Sequence, residues 1–145
     1  QELFNNRIKD YVFSWDKTLS FEGETGPYVQ YTYARTSSLL RKADIEINDD
    51  VDYTVFTDNE SFNVIKKLEG FKDAVLNAHD KYEPFMVTRY IVGLAQEFNR
   101  FYHERPIVTE EDERVKKARL LLTLTVNRVL KKGMELLGME APEKM

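Results

Sequence analysis

Pro84-Phe85-Met86-Val87-Thr88-Arg89-Tyr90-Ile91-Val92-Gly93-Leu94-Ala95-Gln96-Glu97-Phe98-Asn99-Arg100-Phe101-Tyr102 carries the strongest periodic signal in the chain. Met86, Val87, Tyr90, Ile91, Leu94, Ala95, Phe98, Phe101 and Tyr102 recur at steps of three and four, which puts them on one face of an amphipathic helix. Pro84 suits the first turn, where a missing N–H leaves nothing unsatisfied, and Pro106 lies just past the end. Gly93 interrupts the stripe at a cost of about 1 kcal/mol relative to alanine, which predicts a neighbouring element packed closely against it.

Downstream, Thr109-Glu110-Glu111-Asp112 reads as the start of a second long helix, with a hydroxyl cap and solvated acids that complement the helix dipole. Val115, Ala118, Leu122, Thr125, Val129 and Leu136 form its stripe, and Gly138 stops it in a left-handed conformation. Upstream, Phe62, Ile65 and Leu68 predict a short helix ending at Gly70, and Phe71, Val75 and Ala78 another. Residues 48–59 are polar and acidic and read as a loop, because no partner strand is visible elsewhere. Gly26-Pro27 punctuates the chain and opens a helix expected to run to about Arg41. The fold class is therefore all-α, a bundle of about five or six helices.

The 145 residues fit one domain, with 42% hydrophobic and 32% charged residues, the balance of a globular chain. No apolar run is long enough for a membrane span. Gln1 to Arg7 lack the features of a signal peptide, and the absence of an initiator Met suggests a chain cut from a longer one. Zero cysteines excludes disulfides and thiol chemistry and is compatible with the cytoplasm.

The net charge of −4 argues against a nucleic-acid binder until its distribution is considered. Residues 1–43 carry six basic against five acidic side chains, residues 44–83 four against eleven, and residues 84–145 eleven against nine. The acidity is confined to the middle. The remainder is mildly basic, which permits a selective RNA contact and argues against a non-specific DNA coat.

Two clusters could carry chemistry. Tyr28, Tyr31, Arg35 and Ser38 share one face of the first helix, and two phenols with a guanidinium make a surface on which unpaired bases stack. On spacing alone a core role for these tyrosines is favoured, although the face of Val29, Thr32, Thr36, Leu39 and Leu40 competes to be the buried one. Phe98-Asn99-Arg100-Phe101-Tyr102-His103 crowds three aromatics, an amide and a guanidinium at a helix end, and two of the three rings should continue the core stripe. His79 and His103 lack the partners for a catalytic or metal role. Phe21-Glu22-Gly23-Glu24-Thr25-Gly26 lacks the lysine of a phosphate loop and reads as a turn. No catalytic constellation and no metal site emerges.

A resemblance then covers essentially the whole chain. Leu19-Ser20-Phe21-Glu22-Gly23-Glu24-Thr25-Gly26-Pro27-Tyr28-Val29-Gln30-Tyr31, followed by Ala34-Arg35, is similar to the junction of catalytic and C-terminal regions in arginyl-tRNA synthetases. Arg7 to Asp16, Tyr82-Glu83-Pro84 with Val87 and Tyr90, Phe98 to Tyr102 and Leu137 to Met145 resemble further stretches of that family in order. The resemblance implies a DALR-type helical anticodon-binding domain over residues 27–145, with residues 1–26 as the junction to a class I catalytic domain. It implies that Tyr28, Tyr31, Arg35, Tyr102 and Met145, with Asn99 from the same cluster, contact the anticodon loop of arginine tRNA. It also implies a monomeric, cytoplasmic parent enzyme that uses ATP and Mg; its nucleotide-binding signatures are absent here, so this chain alone should be inactive and hold no cofactor. The same domain of a cysteinyl-type synthetase and a helical interaction module that binds no RNA are the alternatives. Tyr33 and Tyr82 stand where the family often has histidine, Lys144 replaces the usual arginine, and the last helix offers Lys117-Ala118-Arg119-Leu120 instead of an Asp-Ala-Leu-Arg run.

Overall fold

The computed structural model describes Trp15 and residues 25–43 and 45–145. Most of the expected junction at residues 1–26, and the turn at Phe21–Gly26 except Thr25 and Gly26, lie outside the described residues. Among the residues from Thr25 onward that the structure describes, five α-helices follow in order: α1 (Gly26–Arg41), α2 (Asn59–Glu69), α3 (Phe71–Lys81), α4 (Phe85–Glu104) and α5 (Glu113–Leu136). That is the low end of the expected five or six. A single 3-10 turn, Tyr53–Val55, marks the acidic loop, and no strand occurs among the described residues.

α4 is the central element and packs against all four other helices. Its stripe is buried as expected at Val87, Tyr90, Ile91, Leu94, Ala95, Phe98 and Phe101, whereas Met86 and Tyr102 lie at its margins. Tyr90 donates from its hydroxyl to the Lys67 carbonyl at 2.6 Å, and burial pushes its phenol up to about 12. Gly93 answers the expectation of close packing, because a Cβ there would lie 2.7 Å from Lys67 Nζ of α2.

α1 buries Val29 and Tyr33 together with Thr32, Thr36 and Ser37, an unusually polar inner face. The hydroxyls are satisfied within the bundle. Thr32 and Thr36 donate to the Tyr28 and Tyr33 carbonyls at 2.9 and 2.7 Å. Asn127 of α5 donates to Thr36 Oγ1 and Ser37 Oγ, both at 2.9 Å. Leu39 and Leu40 are half-buried rather than central.

Three readings of helix phase and capping are corrected. On α2, Phe62 is 59% exposed and Ile65 38%, while Ser61 and Val64 are buried and Leu68 packs on the core. The helix is turned by its cap: Asp58 accepts from the Ser61 N–H and hydroxyl at 2.8 and 3.0 Å and also faces Arg105 at 3.5 Å. Paired in this way, Ser61 can be buried at little cost. On α5 the cap is Asp112 rather than Thr109, and the core positions are Leu120, Val126, Leu130 and Met134 as well as Ala118 and Leu122. Thr125 and Val129 are half-buried and Leu136 is exposed, because α1 and α4 flank α5 and bury a broader arc than one stripe. Glu110 is not a solvated charge: it lies 2.6 Å from Arg119, whose guanidinium also donates to the Pro106 carbonyl, and so clamps the loop onto α5.

The chain reverses where expected. Gly138 has φ +69° just past α5, in the left-handed region that glycine enters without a Cβ penalty. Tyr82 terminates α3 at φ 54°, an uncommon conformation for a side chain of its size.

Candidate nucleic-acid interface

α1 projects Tyr31, Arg35 and Ser38 along one edge, and Lys42 at its C-cap continues the series at steps of four, three and four. α4 lies alongside it and supplies Asn99 and Tyr102. After Gly138 the tail folds back over α1: Gln30 Nε2 donates to the Glu140 carbonyl at 2.9 Å and Arg41 to the Glu143 carbonyl at 3.2 Å. Met139 packs near Gly26, where a Cβ would meet its Cε at 3.1 Å. The strapped tail brings Lys144 and Met145 to the groove that Tyr31 also lines.

These three pieces enclose an open groove of about 480 Å³. Tyr31, Arg35, Tyr102 and Met145 line it. The two rings remain accessible, Tyr31 at 52% and Tyr102 at 40%, whereas their neighbours Phe98 and Phe101 are fully buried, as expected for two of the three aromatics in that cluster. The Arg35 guanidinium carbon lies 4.9 Å from the centroid of the Tyr31 ring and 4.9 Å from that of Tyr102. Such contacts hold a cation with roughly 0.5–2 kcal/mol each, according to how dry they are.

Tyr28 and Asn99 take a different place. Asn99 donates from Nδ2 to the Tyr28 hydroxyl and to Thr32 Oγ1, both at 2.9 Å, and its Oδ1 accepts from Arg35 Nη1. Neither residue lines the groove; Asn99 is bonded to Arg35, and Tyr28 to Asn99.

Residues that the sequence reading did not name as site residues complete the electrostatics. Arg41, Lys42 and Lys144 join Arg35 around the groove, and the one acid there, Glu143, lies 4.0 Å from Arg41. Among the described residues, four cationic side chains against one acidic side chain make this a positive site on a chain of net charge −4. The i, i+4, i+7, i+11 series from Tyr31 would have found Lys42; nothing local could have found Lys144. Among the described residues, none of the acidic stretch 44–83 lines the groove. A neighbouring cleft of about 460 Å³, lined in part by His103 and Thr109, shares Leu39, Lys42 and Tyr102 with it. Together they form an aromatic and cationic track. An aromatic and cationic track of this kind suits single-stranded nucleic acid, whose bases stack while its phosphates meet lysine and arginine. Among the described residues, no group of three or more His, Asp or Glu is gathered as a metal site would need.

The helical bundle and its groove define a domain of the kind that binds single-stranded nucleic acid. The chain belongs to the DALR anticodon binding domain family, which matches residues 29–145. It is similar to the arginine–tRNA ligase of Halothermothrix orenii, 54% identical over 145 residues that are 100% of this chain and 25% of that protein. The arginine–tRNA ligase of Clostridioides difficile is 52% identical over 145 residues, with the same coverage. Among solved structures, arginyl-tRNA synthetase of Thermus thermophilus superposes with a TM-score of 0.81 at 36% identity, covering 92% of this chain and 23% of that one. The Plasmodium falciparum enzyme gives 0.84 at 30% identity, covering 99% and 25%. The chain spans about a quarter of the length of the curated relatives it matches.

Within this fold the departures from the family pattern acquire places. Tyr33 is a core residue, 3% exposed, and Tyr82 is the left-handed terminus of α3. Lys144 keeps a positive charge in the groove but offers no two-pronged guanidinium.

Proposed function

We propose that this chain is the anticodon-binding domain of an arginine–tRNA ligase, and that its groove takes the anticodon loop of arginine tRNA. One observation carries the reading: the Arg35 guanidinium is held against the accessible rings of Tyr31 and Tyr102 in a cation-lined groove. Membership of the DALR family and the names of the matched relatives support it. Tyr31, Tyr102 and Met145 offer faces for unstacked bases, with about 1–3 kcal/mol for each base stacked on an aromatic ring. Arg35 offers donors to a base edge or a phosphate, and Arg41, Lys42 and Lys144 neutralise the backbone. Tyr28 and Asn99 belong to the same cluster immediately behind.

On this reading residues 27–145 form the binding domain, residues 1–26 join it to a catalytic region, and the parent enzyme is a cytoplasmic monomer. Activation of arginine with ATP and Mg, and transfer to the tRNA, then belong to that catalytic region. The domain contributes binding and selection. Titrating the chain at low salt with arginine tRNA, and with the same tRNA altered only in its anticodon loop, tests the proposal. At least tenfold preference for the unaltered tRNA is expected; equal affinity for the two, or binding of neither, refutes it. A helical interaction module that binds no RNA predicts the latter result.

A further inference from the structure

Asn99 is placed where an RNA-reading amide would be expected, yet its polar atoms are turned inward. The orientation of the amide follows from its partners. Arginine has donors and no acceptor, so the atom facing Arg35 Nη1 is Oδ1. The Nδ2 group then faces two hydroxyl oxygens, those of Tyr28 and Thr32, at 2.9 Å each. Thr32 is fully buried and its own hydrogen goes to the Tyr28 carbonyl, so its oxygen accepts from Asn99. Both donors of the amide are thereby spent inside the domain.

We propose that Asn99 is a positioning residue: it fixes the Arg35 guanidinium between Tyr31 and Tyr102 and does not itself touch RNA. The inference rests on the anticodon-binding reading of the groove. Arg35 has a long side chain with many rotamers, and ordering it at the moment of binding would weaken affinity. Its position is set beforehand by three contacts from two helices: the Asn99 oxygen behind it and the rings of Tyr31 and Tyr102. One of its five N–H donors is used on Asn99 and the others stay on the planar fork. Tyr28 and Thr32 in turn hold the amide from α1, the helix that also carries Arg35, so α1 and α4 are tied together next to the groove. Tyr28 is thus a second positioning residue, one step further from the RNA.

A binding cycle tests this. Affinity of the chain for a fluorescent anticodon stem-loop of arginine tRNA is measured by anisotropy for the wild type, Arg35→Ala, Asn99→Ala and the double variant. Melting curves on each variant report whether it is folded. Asn99→Ala is expected to weaken binding about three- to tenfold, the effect of freeing one long side chain, and to have no further effect once Arg35 is alanine. The same loss on both backgrounds, or no loss in the wild type, overturns the proposal. Should Asn99→Ala fail to fold, Tyr28→Phe repeats the cycle: it removes only the hydroxyl that anchors the amide. Its smaller loss must likewise vanish in the Arg35→Ala background, and a loss that persists there overturns the proposal. If Arg35→Ala alone binds as well as the wild type, the anticodon-binding reading of the groove fails instead.

Discussion

The α4–α5 crossing permits a quantitative test of the packing. Gly133 of α5 lies so close to Ile91 of α4 that a Cβ on it would come within 2.2 Å of Ile91 Cγ2. Ile91 is 1% exposed, so it has no open space to move into. Gly133→Ala brings two opposed effects. Alanine is a better helix former by about 1 kcal/mol. Forcing a methyl into a filled core costs about 1–3 kcal/mol, and a contact this short belongs in the upper half of that range. The net expectation is a loss of about 1–2 kcal/mol, or a melting temperature lower by roughly 3–8 °C for a chain of this size. The sign should reverse once the obstacle is removed. Ile91→Ala alone costs about 2–5 kcal/mol through the cavity it leaves. On that background Cγ2 is gone, and adding Gly133→Ala should be neutral or stabilising by up to about 1 kcal/mol. Urea unfolding followed by circular dichroism at 222 nm measures all four members of the cycle. Equal destabilisation by Gly133→Ala on both backgrounds, or none in the wild type, would refute the close-contact account. Because α4 carries Asn99 and Tyr102, a displaced α4 should also weaken anticodon stem-loop binding by the Gly133→Ala variant.

Other outcomes follow from charge. With four cations around the groove, the logarithm of RNA affinity should fall with the logarithm of salt concentration at a slope no steeper than about −3; titrations between low and physiological salt check this, and a much steeper slope would mean that a further basic surface binds RNA. The Asp58 carboxyl is penalised by burial, but hydrogen bonds from Ser61 and the facing Arg105 outweigh this and hold it below its ordinary value. Its stabilising effect is therefore full above the unfolded carboxyl's range and is lost as pH falls through the lower folded value. Asp58→Ala should cost about 1 kcal/mol at pH 7 as a lost cap, and much less at pH 2–3, when urea midpoints of the two proteins are compared.

The candidate site was partly legible because its residues are spaced along helices. Tyr31 and Arg35 could be placed on one helix face from their spacing, but spacing alone favours a core role for the tyrosines and puts Tyr102 on the core stripe; the resemblance to arginyl-tRNA synthetases supplies the site reading. Spacing also misread α2, where Phe62 and Ile65 make a plausible stripe. Burial of Ser61 instead of Phe62 depends on Asp58 and on Arg105, forty-four residues beyond Ser61 in the chain, and no local period contains that pairing. Tyr28 belongs to the same helix face as Tyr31, yet Asn99 ties its hydroxyl into the wall between α1 and α4.

The sequence by itself determined that the chain is helical, roughly where the main helices lie, and that Tyr31 and Arg35 share one helix face, because backbone propensity, proline and glycine positions and periodicity are local properties. Tertiary structure alone decided the phase of α2 and α5, the need for glycine at 133, and the return of the tail that sets Lys144 and Met145 against α1. It also decided that Asn99 faces inward. Each of these depends on side chains remote in sequence competing for the same space or the same hydrogen bond, and that competition is settled only when the helices pack.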